Sequence, residues 1–219
     1  MKSQEVVRGY FEREARRFDA IYDADKSLAR RLVDRLFRGV VLERFRLISA
    51  LAPQAGHWTV LDVGCGSGRY SVALAQAGAA RVVGIDVAAP MIELARDKAR
   101  EAGVADRCVF EVGGFLERPG GERFDVIVAT GYFDYLEDPL PHLQRMVASG
   151  RRRLFLSFPK RWELRVIVRK LRFWLERGFV RFYSRGEVDA LVRAAGVSPE
   201  RWVLIDLGRD WIAVIRVDE

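Results

Sequence analysis

The segment from Val60 to Tyr70 constrains the fold of this chain more than any other. It reads VLDVGCGSGRY, an apolar run that ends in one acid and passes into glycines at alternate positions, Gly64, Gly66 and Gly68. Such glycines let the backbone approach a ligand at the carboxyl end of a strand, where open α/β sheets bind cofactors. Asp86 ends the next apolar run and is therefore placed to accept hydrogen bonds from a ribose.

The glycine spacing and Asp62 together indicate which cofactor this turn binds. The dinucleotide pattern Gly-x-Gly-x-x-Gly fails, because its third position falls on Arg69 when counted from Gly64 and on Ser71 when counted from Gly66. The carboxylate of Asp62 would repel a pyrophosphate but suits a ligand that carries an ammonium group. A cofactor with a ribose, a cationic amino-acid end and no phosphate is S-adenosylmethionine.

These segments resemble a known family. The resemblance is carried by Val60 to Tyr70, the VVGID segment that ends at Asp86, Met91, and FDVIVAT at 124–130. In order and spacing the chain resembles the class I S-adenosylmethionine-dependent methyltransferases over roughly residues 40–219. The resemblance implies a Rossmann-like α/β fold: a seven-stranded, mostly parallel sheet with an antiparallel last strand and helices on both faces. The SFPK stretch that begins at Ser157 and the basic insertion are loosely similar to those of the magnesium-protoporphyrin O-methyltransferases.

The hydrophobic pattern agrees with such a sheet, because apolar runs alternate with helical periodicity. The predicted strands are Thr59 to Val63, Arg81 to Asp86, Cys108 to Val112, Phe124 to Thr130, Arg153 to Phe158, Trp202 to Asp206 and Trp211 to Val217. Helices are predicted near 69–77, 90–102, 139–148 and 185–195. The short connection between the last two strands excludes a parallel crossover and predicts a hairpin.

The domain organisation expected from the sequence is a helical cap over residues 1–50 and a methyltransferase domain over 51–219, with a basic amphipathic insertion near 159–184. Tyr10 and Tyr22 of the cap are candidates for closing the site, or they pack on the sheet domain as ordinary helix aromatics. The sequence contains neither an apolar run long enough for a membrane span nor the pattern of a secretory signal, which favours a cytoplasmic enzyme.

The metal-ligating residue types are few. The chain has two cysteines, Cys65 and Cys108, and two histidines, His57 and His142, and their spacing does not match a metal site or a disulfide framework. We therefore expect no metal. Cys65 is expected to pack beneath the cofactor as a small residue.

The resemblance also implies cofactor contacts. The residues assigned to cofactor binding are Asp62, Gly64, Cys65, Gly66, Gly68, Asp86, Val87, Met91, Gly114, Phe115 and Thr130. The glycines would approach the methionine portion, and Asp62 would contact the amino-acid end or the glycine backbone. Asp86 would take the ribose hydroxyls, while Val87 and Met91 would line the adenine.

One position departs from the family pattern. Many relatives carry Gly-Asp after the third strand, and that carboxylate accepts the adenine amino group, whereas this chain reads Gly113-Gly114-Phe115. We therefore expect no carboxylate at this point. Backbone groups and the Phe115 ring would contact the adenine instead.

The residues that bind the methyl acceptor are expected after the fourth strand. Methyl transfer from a sulfonium needs alignment and, for a weak nucleophile, removal of a proton, so few catalytic residues are required. Tyr132, Asp134 and His142 are the catalytic candidates, and Tyr135 is a candidate substrate contact. Each has a simpler interpretation: His142 as a partly exposed surface histidine, Asp134 as a cap, and Tyr132 as a residue that packs on the cofactor.

Positive charge is concentrated in residues 145–185, which hold thirteen Arg and Lys but only two acids, Glu163 and Glu176. Three interpretations stay open: a cap whose arginines meet an acidic substrate, a helix on an anionic membrane surface, or a solvated face with a core-packed stripe. Such a patch can also bind nucleic acid. The sequence lacks a recognisable RNA-binding module and the Asn-Pro-Pro-Tyr motif of base-methylating enzymes, which argues against that partner.

The predicted function is therefore transfer of a methyl group from S-adenosylmethionine to oxygen, nitrogen or carbon of a small-molecule acceptor, with release of S-adenosylhomocysteine. The basic segment favours an acidic, aromatic or amphiphilic acceptor. The alternatives are a non-catalytic S-adenosylmethionine-binding protein and a peripheral membrane or nucleic-acid methyltransferase that uses residues 145–185.

Overall fold

The computed structural model describes residues 8–9, 43–48, 50, 57–161 and 180–217. The strands are β1 (Thr59–Val63), β2 (Arg81–Asp86), β3 (Cys108–Val112), β4 (Phe124–Ala129), β5 (Gly150–Pro159), β6 (Trp202–Asp206) and β7 (Asp210–Arg216). The helices are α1 (Arg69–Gln76), α2 (Ala89–Glu101), α3 (Leu140–Ser149) and α4 (Arg185–Ala194). Residues 8–9 and 43–48 are also helical, and short 3₁₀ turns cover Phe133–Tyr135 and Pro199–Arg201.

The strands form one seven-stranded sheet in the order β3-β2-β1-β4-β5-β7-β6. Strands β1 to β5 are parallel to one another, and β7 runs antiparallel to both β5 and β6. This topology confirms the predicted fold class, including the closing hairpin. The strand order reverses between β1 and β4, so the carboxyl ends of these strands border the crevice where open α/β sheets bind ligands.

Both faces of the sheet are covered because the central strands are apolar on both sides. Leu61 and Val63 of β1 join one core cluster, which also includes residues of α3 and α4. Val60, on the opposite face, joins a second cluster with residues of α1 and α2. Every residue of β4 is buried. A sheet buried in this way is rigid, and it holds the loops at its carboxyl edge in fixed relative positions.

The predicted helix ends match the structure closely. Pro90 lies in the first turn of α2, where a missing N–H costs nothing. Gly103 follows α2 with φ of 67° and Gly196 follows α4 with φ of 86°, the left-handed conformation that ends a helix. Ser184 and Glu187 form a reciprocal capping box at the start of α4.

Several strand boundaries differ from the prediction: β5 ends at Pro159 rather than Phe158, and β7 covers Asp210–Arg216 rather than Trp211 to Val217. Two further differences have a clear structural cause. Strand β5 begins at Gly150 rather than Arg153, because the register shifts: Phe124 pairs with Gly150 and Val126 with Arg153. This bulge turns the intervening arginines outward, so they resemble a loop in the sequence. Strand β4 ends at Ala129, one residue before Thr130, because Gly131 follows with a left-handed φ of 70°.

Parts of the sequence prediction lie outside the described residues. These are Tyr10, Tyr22, most of the predicted cap over 1–50, and residues 162–179 of the basic insertion. Among the residues that the structure describes, no helix is both long enough and apolar enough to cross a membrane.

Candidate active site

The three glycines of the turn after β1 all have left-handed φ angles, but they face different surroundings. A Cβ on Gly64 would lie 2.8 Å from Cδ2 of Tyr132, and a Cβ on Gly68 would lie 2.7 Å from Cβ of Ala95. Gly64 and Gly68 are therefore required by the packing of the protein itself. A Cβ on Gly66 would meet no atom within 4 Å. The backbone of Gly66 borders open space, which is where a ligand can approach it.

The end of β2 holds this turn in place. The N–H groups of Gly64 and Cys65 both donate to the carbonyl oxygen of Ile85, at 2.8 and 3.1 Å. The N–H of Gly66 donates to Oδ2 of Asp86 at 2.9 Å. Cys65 is buried in the core beneath the turn, and burial raises the pKa of its thiol. The glycine turn is thus ordered by hydrogen bonds from a neighbouring strand.

Asp62 is a buried carboxylate at the end of β1, with 1% of its surface exposed. Its Oδ2 accepts a 2.6 Å hydrogen bond from Oγ of Ser71, in the first turn of α1. Burial raises the pKa of Asp62 to about 7, and the negative charge of Asp86 adds to this rise. A cation beside Asp62 would stabilise its ionised form. This residue is therefore suited to a ligand with an ammonium group.

Asp86 is a partly buried carboxylate at the end of β2. Its Oδ1 accepts from the N–H of Ala88 at 2.9 Å, and its Oδ2 accepts from Gly66. Burial raises its pKa, although these backbone hydrogen bonds oppose the rise. Each carboxylate oxygen can accept a further hydrogen bond. Asp86 therefore keeps acceptor capacity for ligand hydroxyls.

The residues expected around the adenine lie on neighbouring segments. Val87 is half-buried beside Asp86, and Met91 is buried at the start of α2, in a small apolar cluster with Ala88. The N–H of Gly113 donates to the carbonyl oxygen of Asp86 at 2.9 Å, which ties the end of β3 to the end of β2. Gly114 and Phe115 follow directly and are both buried.

The loop after β4 brings Tyr132 and His142 together. The hydroxyl of Tyr132 lies 2.8 Å from Nδ1 of His142, and the two rings meet edge to face with centroids 5.6 Å apart. Tyr132 also contacts the glycine turn at Gly64. The loop itself is anchored by Gly131, whose N–H donates to Oγ of Ser157 at 2.8 Å. Thr130, half-buried, opens this loop.

His142 is not the exposed surface histidine that the sequence allowed, since only 6% of it is accessible. It lies against the Phe115 ring, with ring centroids 6.5 Å apart and an interplanar angle of 30°. Burial lowers its pKa to about 4, so the imidazole is neutral at neutral pH. Burial also raises the pKa of Tyr132, so its phenol keeps its proton.

Asp134 belongs to the same loop, in the 3₁₀ turn that follows Tyr132. It is buried, and its carbonyl oxygen accepts from the N–H of Arg181 at 2.7 Å. The negative charge of its carboxylate helps to raise the pKa of Arg44. Arg44 belongs to the helical residues 43–48 and forms an ion pair with Asp210. Burial lowers the pKa of Arg44, but the charges of Asp210, Tyr70 and Asp134 raise it by more.

The sequence prediction missed Arg44 and Asp210. Arg44 lies in an amphipathic segment rich in arginine, and Asp210 opens the final hairpin, so neither has a distinguishing motif. Tyr135, the remaining loop candidate, is half-buried in the 3₁₀ turn. In the part of the chain that the structure describes, no group of three or more His, Cys, Asp or Glu side chains is arranged to hold a metal ion.

We predict that Gly68→Ala destabilises the protein more than Gly66→Ala. Each alanine would adopt a left-handed φ, at a cost of about 1–2 kcal/mol, but the alanine at 68 would also overlap Ala95 and cost roughly 1–3 kcal/mol more. Urea denaturation measures both losses. Gly103→Ala is the control, because Gly103 has a φ of 67°, close to those of Gly66 and Gly68, and open space around it. Equal losses at 66 and 68 would contradict the different surroundings of the two glycines.

We also predict that His142 titrates near pH 4. Folding lowers its pKa below the ordinary value, so the stability that its neutral imidazole contributes is present above about pH 6.5 and is lost as the pH falls towards 4. The ring-proton chemical shifts of the two histidines, assigned with His142→Gln, measure this pKa. A midpoint above pH 6 would show that His142 is not held in an apolar, water-excluded environment.

Comparisons with known proteins agree with this geometry. Residues 60–154 match a family model described as a methyltransferase domain. The chain is 34% identical over 163 residues to 27-O-demethylrifamycin SV methyltransferase of Amycolatopsis mediterranei, covering 71% of this chain and 59% of that protein. It is 30% identical over 158 residues to a ubiquinone biosynthesis O-methyltransferase of Ruegeria, covering 68% and 63%. The chain thus spans about 60% of the length of these relatives.

The fold of the whole chain is also found among solved structures. Magnesium protoporphyrin IX methyltransferase from Synechocystis PCC 6803 with bound S-adenosylhomocysteine superposes with a TM-score of 0.79 at 23% sequence identity, covering 99% of this chain and 100% of that one. The sequence resemblance is therefore confirmed by the family match, by these relatives and by the observed sheet order. The chain belongs to the class I S-adenosylmethionine-dependent methyltransferases.

Proposed function

We propose that this protein transfers the methyl group of S-adenosylmethionine to an oxygen atom of a small-molecule acceptor. The observation that carries this proposal is the open backbone of Gly66 between the carboxylates of Asp62 and Asp86. Neither carboxylate forms an ion pair with a basic side chain within the described ranges. Together they would repel a phosphate and attract a ligand that combines a ribose with an ammonium group.

The cofactor roles follow from these surroundings. Asp62 binds the ammonium group, Gly66 gives the methionine portion close access to the backbone, and Asp86 accepts from the ribose hydroxyls. The remaining contacts are assigned to Gly64, Cys65, Gly68 and Thr130 around the methionine portion, and to Val87, Met91, Gly114 and Phe115 around the adenine.

S-adenosylmethionine, when bound, supplies an activated methyl group on a sulfonium, so the protein mainly has to align the acceptor. Tyr132 lies beside the glycine turn, and its hydroxyl is held by His142. His142 is a weak base with a pKa of about 4, so we assign it a positioning role rather than proton removal. Asp134 is the carboxylate of the same loop, and we assign it as acceptor of the proton that leaves the acceptor hydroxyl.

The choice of a small acceptor and of oxygen rests on two relatives, one named a 27-O-demethylrifamycin SV methyltransferase and the other a ubiquinone biosynthesis O-methyltransferase. The described ends of the basic insertion contact the methyltransferase domain. Lys160 pairs with Asp206, Arg161 lies 3.8 Å from Glu187, and Arg181 donates to the carbonyl oxygen of Glu137. An acidic, aromatic or amphiphilic acceptor, the cap over 1–50 and the cytoplasmic location stay predictions.

We expect S-adenosylmethionine and S-adenosylhomocysteine to bind with micromolar affinity in calorimetric titrations of the purified protein. Asp86→Ala should weaken both by about tenfold to a hundredfold, because it removes charge-assisted hydrogen bonds to the ribose. Asp97→Ala, an exposed acid of α2 that pairs only with Arg100 in the described chain, is the matched control.

The same sample, incubated with candidate acceptors, tests the transfer itself. A methyltransferase releases S-adenosylhomocysteine with at least one acceptor, whereas the non-catalytic alternative binds cofactor and releases none. A folded protein that binds neither ligand would contradict the proposed function altogether.

We further expect ligand binding to release a proton at about pH 6. Asp62 has a pKa of about 7 in the free protein and is largely protonated there, and a bound ammonium group would lower that pKa. Titrations in buffers of different ionisation enthalpy measure the release, which should approach one proton at pH 6 and vanish by about pH 8. Asp62→Asn should abolish it, and unchanged release in that variant would assign the proton to another group.

A further inference from the structure

Position 114 is the point where the sequence led us to expect no carboxylate. A Cβ on Gly114 would lie 2.8 Å from Oε2 and 3.0 Å from Oε1 of Glu117. Oε2 also accepts a hydrogen bond from the N–H of Gly114 at 3.3 Å. The carboxylate of Glu117 therefore reaches back over Gly114 and occupies the space that a side chain at position 114 would enter.

The chain between them makes this reach possible. The N–H groups of Glu117 and Arg118 both donate to the carbonyl oxygen of Gly114, at 3.1 and 3.2 Å, so residues 114–118 form a single helical turn. Residues three apart in such a turn lie on the same side. The absence of a side chain at 114 leaves that side open, and the longer side chain of Glu117 fills it.

Glu117 differs from the acids around it in its partners. Arg118 binds Glu111 at 2.9 Å and Glu122 at 2.6 Å, which neutralises both of those acids. Within the described ranges, Glu117 has no ion-pair partner. Glu117 is exposed, and the hydrogen bond from Gly114 leaves several acceptor positions on its carboxylate for a ligand.

The turn that carries Glu117 lies beside the end of β2. The negative charge of Glu117, after burial and the charge of Asp86, contributes to the raised pKa of Tyr132, the residue that packs on the glycine turn. The segment that carries it begins at Gly113, which is bonded to the carbonyl of Asp86. Glu117 is therefore carried on a segment that follows β3 directly and is hydrogen-bonded to Asp86.

We infer that Glu117 accepts a hydrogen bond from the 6-amino group of the cofactor's adenine and so selects adenine over other purines; this inference rests on the proposed use of S-adenosylmethionine. With Asp86 on the ribose, the base extends from β2 towards the end of β3, where Phe115 offers an apolar contact. A carboxylate accepts hydrogen bonds and donates none, so it favours a base with an amino group at this position.

The test compares two ligands in calorimetric titrations: S-adenosylhomocysteine and its analogue with purine in place of adenine, which lacks only the 6-amino group. The intact protein should bind S-adenosylhomocysteine about tenfold more tightly, as expected for one hydrogen bond to a charged group. Glu117→Ala should reduce this preference to about twofold or less, by weakening S-adenosylhomocysteine and leaving the analogue unchanged. Glu101→Ala, at the far end of α2, is the matched control and should change neither value.

A second variant separates loss of recognition from damage to the turn. In the double variant Gly114→Asp with Glu117→Ala, the carboxylate returns at position 114, where the backbone does not have a left-handed φ and the space is vacated by Glu117. We expect this double variant to restore most of the tenfold preference. A purely structural role of Glu117 in capping its turn would lower the melting temperature without changing the preference between the two ligands.

The outcomes distinguish the inference from the function on which it rests. Tight binding of S-adenosylhomocysteine with equal affinity for the purine analogue, or a full preference in Glu117→Ala, would overturn the role of Glu117 and leave the cofactor assignment standing. Failure of the intact protein to bind either ligand would overturn both.

Discussion

The site depends on the hydrogen bonds that join the glycine turn to the end of β2. Backbone N–H groups in a partly buried loop need partners, and here Ile85 and Asp86 supply them for Gly64, Cys65 and Gly66. The pairing of β1 with β2, which aligns Val63 with Ile85, brings these groups together. The same carboxylate that orders the turn is then available to a ligand, so folding and binding use one residue.

The two carboxylates of this region also limit what can bind. Burial raises the pKa of both Asp62 and Asp86, and the negative charge of Asp86 raises that of Asp62 further. A nearby positive charge would stabilise the ionised form of a buried acid whose pKa is near 7. A cationic ligand supplies that charge, whereas an anionic ligand is repelled by the carboxylates. The electrostatics of this region therefore favour a sulfonium amino acid over a dinucleotide.

The sequence predicted the glycine turn and the strands beside it well, because the contacts of these segments are local. Strand runs such as FDVIVA are continuous and apolar, and the glycine turn and Asp86 follow directly from two of those runs. The start of β5 was misplaced, because a bulge exposes Arg151 and Arg152 and hides the strand pattern. The burial of His142 could not be read from its neighbours, since it depends on Phe115 from a different strand end.

The loop after β4, where the acceptor is expected to bind, is held by contacts that sequence patterns do not reveal. Arg44 and Asp210 are 166 positions apart, and Tyr183 donates to the carbonyl of Phe133 across 50 positions. These long-range contacts tie the N-terminal region, the loop after β4 and the final hairpin around Asp134. They also lie largely outside residues 60–154, the part that matches the methyltransferase-domain model.

The proposed cofactor site is thus formed mainly by local contacts, whereas the proposed acceptor site depends on long-range contacts. Cofactor residues come from consecutive strand ends within one local unit, so their spacing is preserved wherever that unit folds. Asp134, the proposed acceptor residue, lies near Arg44 and Arg181 from distant segments, so we expect changes in those segments to alter acceptor binding without moving the glycine turn. Proteins that share the unit can therefore differ in acceptor, as the ribosomal protein L11 methyltransferases illustrate: one from Aeromonas hydrophila matches 42% of this chain at 40% identity and is named for a protein acceptor. Relatives with the same glycine turn thus do not identify the acceptor, and under the proposed function we expect its choice to depend on the loop that carries Asp134 and on the segments that contact this loop.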